Sequence, residues 1–149
     1  MSTRSVLDDI ELSPSTRLLG WRLLEAWPDE GRISVAFEGL EAFTNPAGFI
    51  QGGFLAAMLD DVMGPAVFVH SAGQLYPVTL DLHVSYLGPA RPGPLYGEGR
   101  VVQAGRSVGF LEAQLTDADG VLVARATATV RLTPAEAVAR PAAKGAPAT

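Results

Sequence analysis

The chain contains no cysteine among its 149 residues. That single absence excludes disulfides, thiolate nucleophiles, iron–sulfur clusters and cysteine-ligated zinc. Histidine is nearly as scarce, so His70 and His83 are the two imidazoles available as ligands or bases. Charge is thin as well: 18% of residues are charged, where about 25% is usual, while 48% are hydrophobic. So little polar surface predicts that some apolar surface faces a second subunit. What charge there is leans acidic, a formal −5 with a pI near 4.9, and supplies no basic stripe for a nucleic acid. Met1 to Glu11 contain no apolar run of the signal-peptide type, so a cytoplasmic location is the default expectation.

The length fits one domain. Its least charged stretch, 43–70, would pass for a membrane span were Asp60 and Asp61 not at its centre. Each would cost about 2.5 to 3.5 kcal/mol on an insertion scale, so the stretch reads as a buried helix and no membrane partner is expected. Gly52 and Gly53 lie near its start and Gly73 beyond its end. Phe54, Leu55, Met58, Leu59, Val62 and Met63 recur at helical spacing. Pro65 interrupts the pattern and predicts a kink or an early stop, because proline lacks an N–H and presses on the carbonyl of Asp61.

After this helix the period changes from 3.6 to 2. Val78, Leu80, Leu82, Val84 and Tyr86 form one row, with Thr79, Asp81, His83 and Ser85 on the opposite face. Further strands are predicted over 95–104, 107–116 and 121–132, separated by Gly- and Pro-rich turns. Upstream, 18–27 and 32–38 read as a strand pair, followed by a loop over 39–50. The predicted class is therefore α+β: two strands, a long helix, then four strands. An N-terminal segment (1–16) precedes this domain (17–133). An Ala- and Pro-rich tail (134–149) without aromatic residues follows it and is expected to be mobile.

The chemistry concentrates between Asn45 and Asp60. Two glycines at a helix start expose backbone N–H groups at the positive end of the helix dipole, an arrangement suited to a developing oxyanion. Asn45 adds an amide donor. Asp60, flanked by Met58, Leu59, Val62 and Met63, reads as a buried acid that demands a reason. Adjacent Asp61 points about 100° away and need not share its role. His70 fits a helix terminus and His83 a strand surface better than either fits catalysis.

Together these features resemble the hotdog-fold acyl-CoA thioesterases of the PaaI-like, phenylacetate-pathway type, over roughly 18–132. The family pattern Asn-x-x-Gly-x-x-His-Gly-Gly, followed on the helix by Leu-x-Asp, has Asn45, Gly48, Gly52, Gly53, Met58 and Asp60 in register. The run from Pro77 to Leu82, the segment Tyr86-Leu87-Gly88-Pro89-Ala90 and the junction Gly105-Arg106-Ser107 match later parts of the pattern.

The resemblance implies an antiparallel sheet wrapped around the central helix, and a homodimer or homotetramer with active sites at the subunit interface. It implies Asp60 as general base or nucleophile and Thr79 as orienter of the attacking water. Asn45 and the Gly52 N–H, from the facing subunit, would polarise the thioester carbonyl. The CoA portion would lie near Gly53, with Arg106 and Arg91 as candidates for its phosphates. No metal or organic cofactor is called for. The departure is Gln51, where the family pattern most often has His: an amide can hydrogen-bond but cannot become cationic. The expected activity is acyl-CoA hydrolysis; the alternative that Gln51 motivates is a noncatalytic acyl-CoA binding or sensing module. A hotdog dehydratase would need a catalytic His in a motif that neither His70 nor His83 resembles.

Overall fold

Residues 5–138 are described by the computed structural model. The strands are β1 (Arg22–Trp27), β2 (Arg32–Gly39), β3 (Leu75–Tyr86), β4 (Gly93–Ala104), β5 (Val108–Thr116) and β6 (Leu122–Pro134). They form one antiparallel sheet in the order β1-β2-β4-β5-β6-β3, which leaves β1 and β3 as its edges. A short helix α1 (Pro14–Leu18) precedes the sheet, and α2 (Gly52–His70) is the long helix it wraps. This is the hotdog arrangement that the sequence resemblance implies.

The centre of the molecule is the contact between α2 and the inner face of the sheet. Met58, Leu59, Val62 and Met63 have no exposed surface and meet Ile33, Val35, Leu95 and Leu115, which have none either. Each such burial contributes about 1.5–3 kcal/mol. The helix lies almost on the backbone of β4, because a Cβ at Gly99 would come within 2.5 Å of the Val62 carbonyl oxygen. By length and composition alone α2 could cross a membrane, but its apolar face is taken up by this packing.

Both ends of α2 fall where the glycines predict. At the C-terminal end Gly73 adopts φ +81° and its N–H donates to Phe68 O (2.8 Å), closing the last turn with a left-handed cap. Pro65 does not stop the helix, which continues to His70. The carbonyl that proline leaves without its N–H partner is that of Asp61, and the indole Nε1 of Trp21 donates to it (3.1 Å).

The start of the first strand differs from the predicted one for a local reason. Residue 18 is helical, not extended: Ser13 caps the N-terminus of α1 through Thr16 N and Pro14 occupies its first turn, a combination that favours helix. Gly20, at φ +70°, then turns the chain into β1.

β3 departs from strict alternation. Its pairing with β6 slips between Thr79 and Asp81, which face the consecutive residues Val130 and Thr129, so Leu80 is an extra, bulged residue. Thr79 therefore shares the helix-facing side with Leu82, Val84 and Tyr86 instead of lying with Asp81, His83 and Ser85. At the chain ends, Val6–Asp9 and Ala135–Ala137 form single 3-10 turns, while the rest of the tail expected to be mobile lies outside the described residues.

Candidate active site

The loop before α2 is fixed by its own backbone. Asn45 N donates to Phe49 O (2.7 Å), Ile50 N to Ala90 O (2.8 Å) and Gln51 N to Phe43 O (2.9 Å). The Phe43 ring stacks on Phe54 at 4.2 Å, tying the loop to the first turn of the helix. Asn45 Oδ1 accepts from the N–H groups of Ala47 (3.0 Å) and Phe49 (3.2 Å). With its oxygen so occupied, the Asn45 amide nitrogen is left as a donor without a partner among the described residues.

Gln51 is the N-cap residue, but its exposed side chain makes no capping bond. Among the described residues, none accepts from the Gly52 or Gly53 N–H. Tyr86 covers Gly52: its hydroxyl donates to Gly52 O (2.8 Å), and its ring would lie 3.1 Å from a Cβ there. At Gly53 a Cβ would meet nothing within 4 Å, so the backbone is open to approach from outside the protomer. The helix start thus offers two unpaired N–H groups beside an amide donor, at the positive end of the dipole.

Asp60 lies two turns further along. The bulge at Leu80 turns Thr79 toward it, and Thr79 Oγ1 donates to Asp60 Oδ1 (3.0 Å), leaving Oδ2 as a free acceptor. The sequence reading of Asp60 as the buried acid needs correction: its side chain is exposed in the protomer, and Asp61 is the half-buried one. The cause is rotation about the helix. Asp61 is directed at the N-terminal segment, where Thr16 Oγ1 donates to its Oδ1 (3.1 Å) and its Oδ2 is buried without a partner. Burial pushes Asp61 up from 3.8 to about 6; the Thr16 hydrogen bond opposes the rise and the neighbouring charge of Asp60 adds to it.

Both carboxylates and Thr79 border a cavity of about 670 Å³, in the range of small-molecule sites. Its walls come from the start of β3, the Pro65–Phe68 turn of α2, the N-terminal segment and residues 135–138. That contribution of the N-terminal segment was missed from sequence. Two signals pointed to it: the Ser13-Pro14 helix start, and the free Asp61 carbonyl that Pro65 requires, for which tryptophan is a suitable donor.

The remaining predicted residues divide by position. Arg91 lies at the Gly52 end of the sheet, its guanidinium 5.3 Å from the centre of the Phe49 ring. Arg106 lies at the opposite end of β4, in the turn toward β5, on the side where Gly109 pairs with Val130 and Val130 with Thr79. His70, at the far end of α2, and His83, on the outward side of β3, both stand apart from Asp60. Eight residues of helix place Gly52 about 12 Å from Asp60. One protomer therefore does not bring its own Gly52 N–H and Asp60 carboxylate onto the same reacting atom. Among the described residues, no group of three potential metal-ligating side chains gathers.

Comparison with known proteins adds three likenesses and a family match. Residues 47–124 match the model of the Thioesterase superfamily. An esterase candidate from Saccharolobus solfataricus is 34% identical over 99 residues, 66% of this chain and 69% of that protein. Human acyl-coenzyme A thioesterase 13 is 27% identical over 104 residues, 68% of this chain and 74% of that protein. Among solved structures, a thioesterase candidate related to phenylacetic acid degradation, from Ralstonia eutropha, superposes with a TM-score of 0.79 at 34% identity, covering 85% of this chain and 95% of that one.

Proposed function

The chain belongs to the hotdog-fold thioesterase superfamily, and from that premise we propose that it hydrolyses an acyl-CoA thioester to the free acid and CoA. The observation that carries the reading is the Asp60–Thr79 pair at the rim of an apolar cavity. Thr79 occupies one carboxylate oxygen and fixes the other toward the opening, where it can take a proton from water. The water oxygen bonds to the thioester carbon as Asp60 accepts that proton; the C–S bond then breaks, and CoA thiolate leaves and is protonated. A thioester needs less activation than an amide, so a carboxylate base and an oxyanion site form a sufficient apparatus.

The oxyanion donors are the Gly52 N–H and the Asn45 amide of a facing copy. The separation of about 12 Å along the helix requires a second copy, and the β3 edge supplies a surface for it. Along that edge Val78, Leu80, Leu82 and Tyr86 are exposed, Leu80 by 60%. Exposed apolar side chains along an unpaired sheet edge favour association. In such a homodimer, alone or within a tetramer, Asp60, Thr79 and Arg106 of one protomer meet Asn45, Gly52, Gly53 and Arg91 of the other. The arginines then attract the CoA phosphates and the open backbone at Gly53 admits the chain that follows them.

Release of CoA thiol from a panel of aryl and aliphatic acyl-CoAs, by wild type and Asp60→Ala side by side, tests the reading. Turnover that disappears in the variant supports it. The second reading, a noncatalytic binding module, is favoured by the exposed, uncapped Gln51 side chain, which cannot supply an imidazolium. Tight binding of CoA esters with no turnover in either protein would select it and overturn hydrolysis.

A further inference from the structure

The N-terminal segment is more than a lead-in to the fold. Leu7 is 8% exposed and Trp21, just beyond α1, is 8% exposed, so both ends of the segment are anchored in the core. Between them Ile10 and Leu12 border the cavity that Asp60 and Thr79 also line. We infer that this segment is the specificity wall of the site: it selects an apolar acyl group of medium length, and the Thr16–Asp61 hydrogen bond holds the wall in place beside Asp60. The inference rests on the thioesterase reading and adds to it the class of acyl group.

Three observations meet here. First, the cavity is lined mainly by apolar groups, Leu7, Ile10, Leu12, Trp21, Phe68 and Pro77 among them, and offers no cation to a charged acyl group. Second, its volume of about 670 Å³ far exceeds what an acetyl group would fill. Third, one residue of α2 holds the segment at two points: Asp61 receives Thr16 at its side chain and Trp21 at its carbonyl. Since Asp61 is the immediate neighbour of Asp60, the wall and the reactive carboxylate share one stretch of backbone. Thr16 is thus a positioning residue, acting on the acyl group through the wall.

The test is kcat and KM over a straight-chain series from acetyl-CoA to dodecanoyl-CoA. For wild type, kcat/KM should rise by up to about fourfold per added methylene until the cavity is filled. Ile10→Trp fills space at a side chain that is already 40% exposed, and so is compatible with folding. It should leave acetyl-CoA within about twofold and lower kcat/KM for decanoyl-CoA at least about tenfold, through KM. Thr16→Val keeps the volume and removes the hydroxyl; it should flatten the chain-length profile with kcat within about twofold, and Thr16→Ser should restore the wild-type profile. Wild type that turns over the series with a profile unchanged by Ile10→Trp and Thr16→Val overturns the wall and leaves the thioesterase reading standing. Wild type that hydrolyses no member of the series overturns both.

Discussion

Asp60 and Asp61 are neighbours in sequence and differ in nearly everything else. Asp60 is exposed, accepts from the Thr79 hydroxyl and keeps an oxygen free at the cavity rim. Asp61 is half-buried, accepts from Thr16 and keeps an oxygen that nothing reaches. An exposed carboxylate with a fixed orientation suits proton transfer at little cost to the fold. A half-buried one with an unsatisfied atom costs stability and is retained for what it holds. Roughly 100° of helix rotation separates a carboxylate open to the cavity from one turned into the protein.

The sharpest way to break this comparison is Asp60→Asn, which keeps the shape and removes the base. It should lower kcat for acyl-CoA hydrolysis by about 100-fold or more with thermal stability nearly unchanged. Loss of stability with retained turnover would reverse the two roles.

Asp61→Asn should do the opposite, with an effect that depends on pH. Lifted from 3.8 to about 6, the Asp61 carboxyl holds its proton more tightly when folded than when unfolded. The penalty is therefore absent below about pH 4, grows through pH 6 and is complete above it, reaching about 2 kcal/mol once partial exposure is allowed for. Removing the ionisable group should stabilise the protein relative to wild type by about 1.3 kcal/mol more at pH 7.5 than at pH 4.5, where about a third of the penalty is already present, in urea unfolding. An equal difference at both pH values would show that burial of the charge is not the cause.

Thr79→Ala sharpens the picture on the catalytic side. Freeing Asp60 to rotate should reduce kcat about tenfold, or 1.4 kcal/mol, and leave KM near wild type. The smallest effect is expected from Gln51→His. The backbone of Gln51, not its side chain, anchors the helix start, so activity should stay within about threefold or rise; a tenfold drop would show that the amide itself is part of the site.

Much of this was legible in the sequence. The helix between Gly52 and Gly73, the four strands after it, and the Asn45–Gly53 loop followed by Asp60 are encoded by local periodicity and turn residues, and the structure places them accordingly. Thr79 was named through family resemblance, while its own alternation pattern pointed it the wrong way. Alternation assumes one residue per pleat, and the bulge at Leu80 is set by the pairing partner β6. The assignment of burial to Asp60 failed for a related reason. Both acids have apolar neighbours in sequence, and which one meets protein depends on a segment about 45 residues away. Pro65 predicts a break only as long as the Asp61 carbonyl has no other donor, and Trp21 is that donor.

The same indole gives the molecule a built-in optical reporter. The chain has two tryptophans, and their settings are unlike. Trp21 is buried and hydrogen-bonded to the Asp61 carbonyl under the N-terminal segment, whereas Trp27 lies beneath the Arg32 guanidinium, 3.7 Å from its centre. Emission from Trp21 therefore reports on the packing of the N-terminal segment against the helix, and with Trp27 replaced by phenylalanine it would do so alone, without an added label.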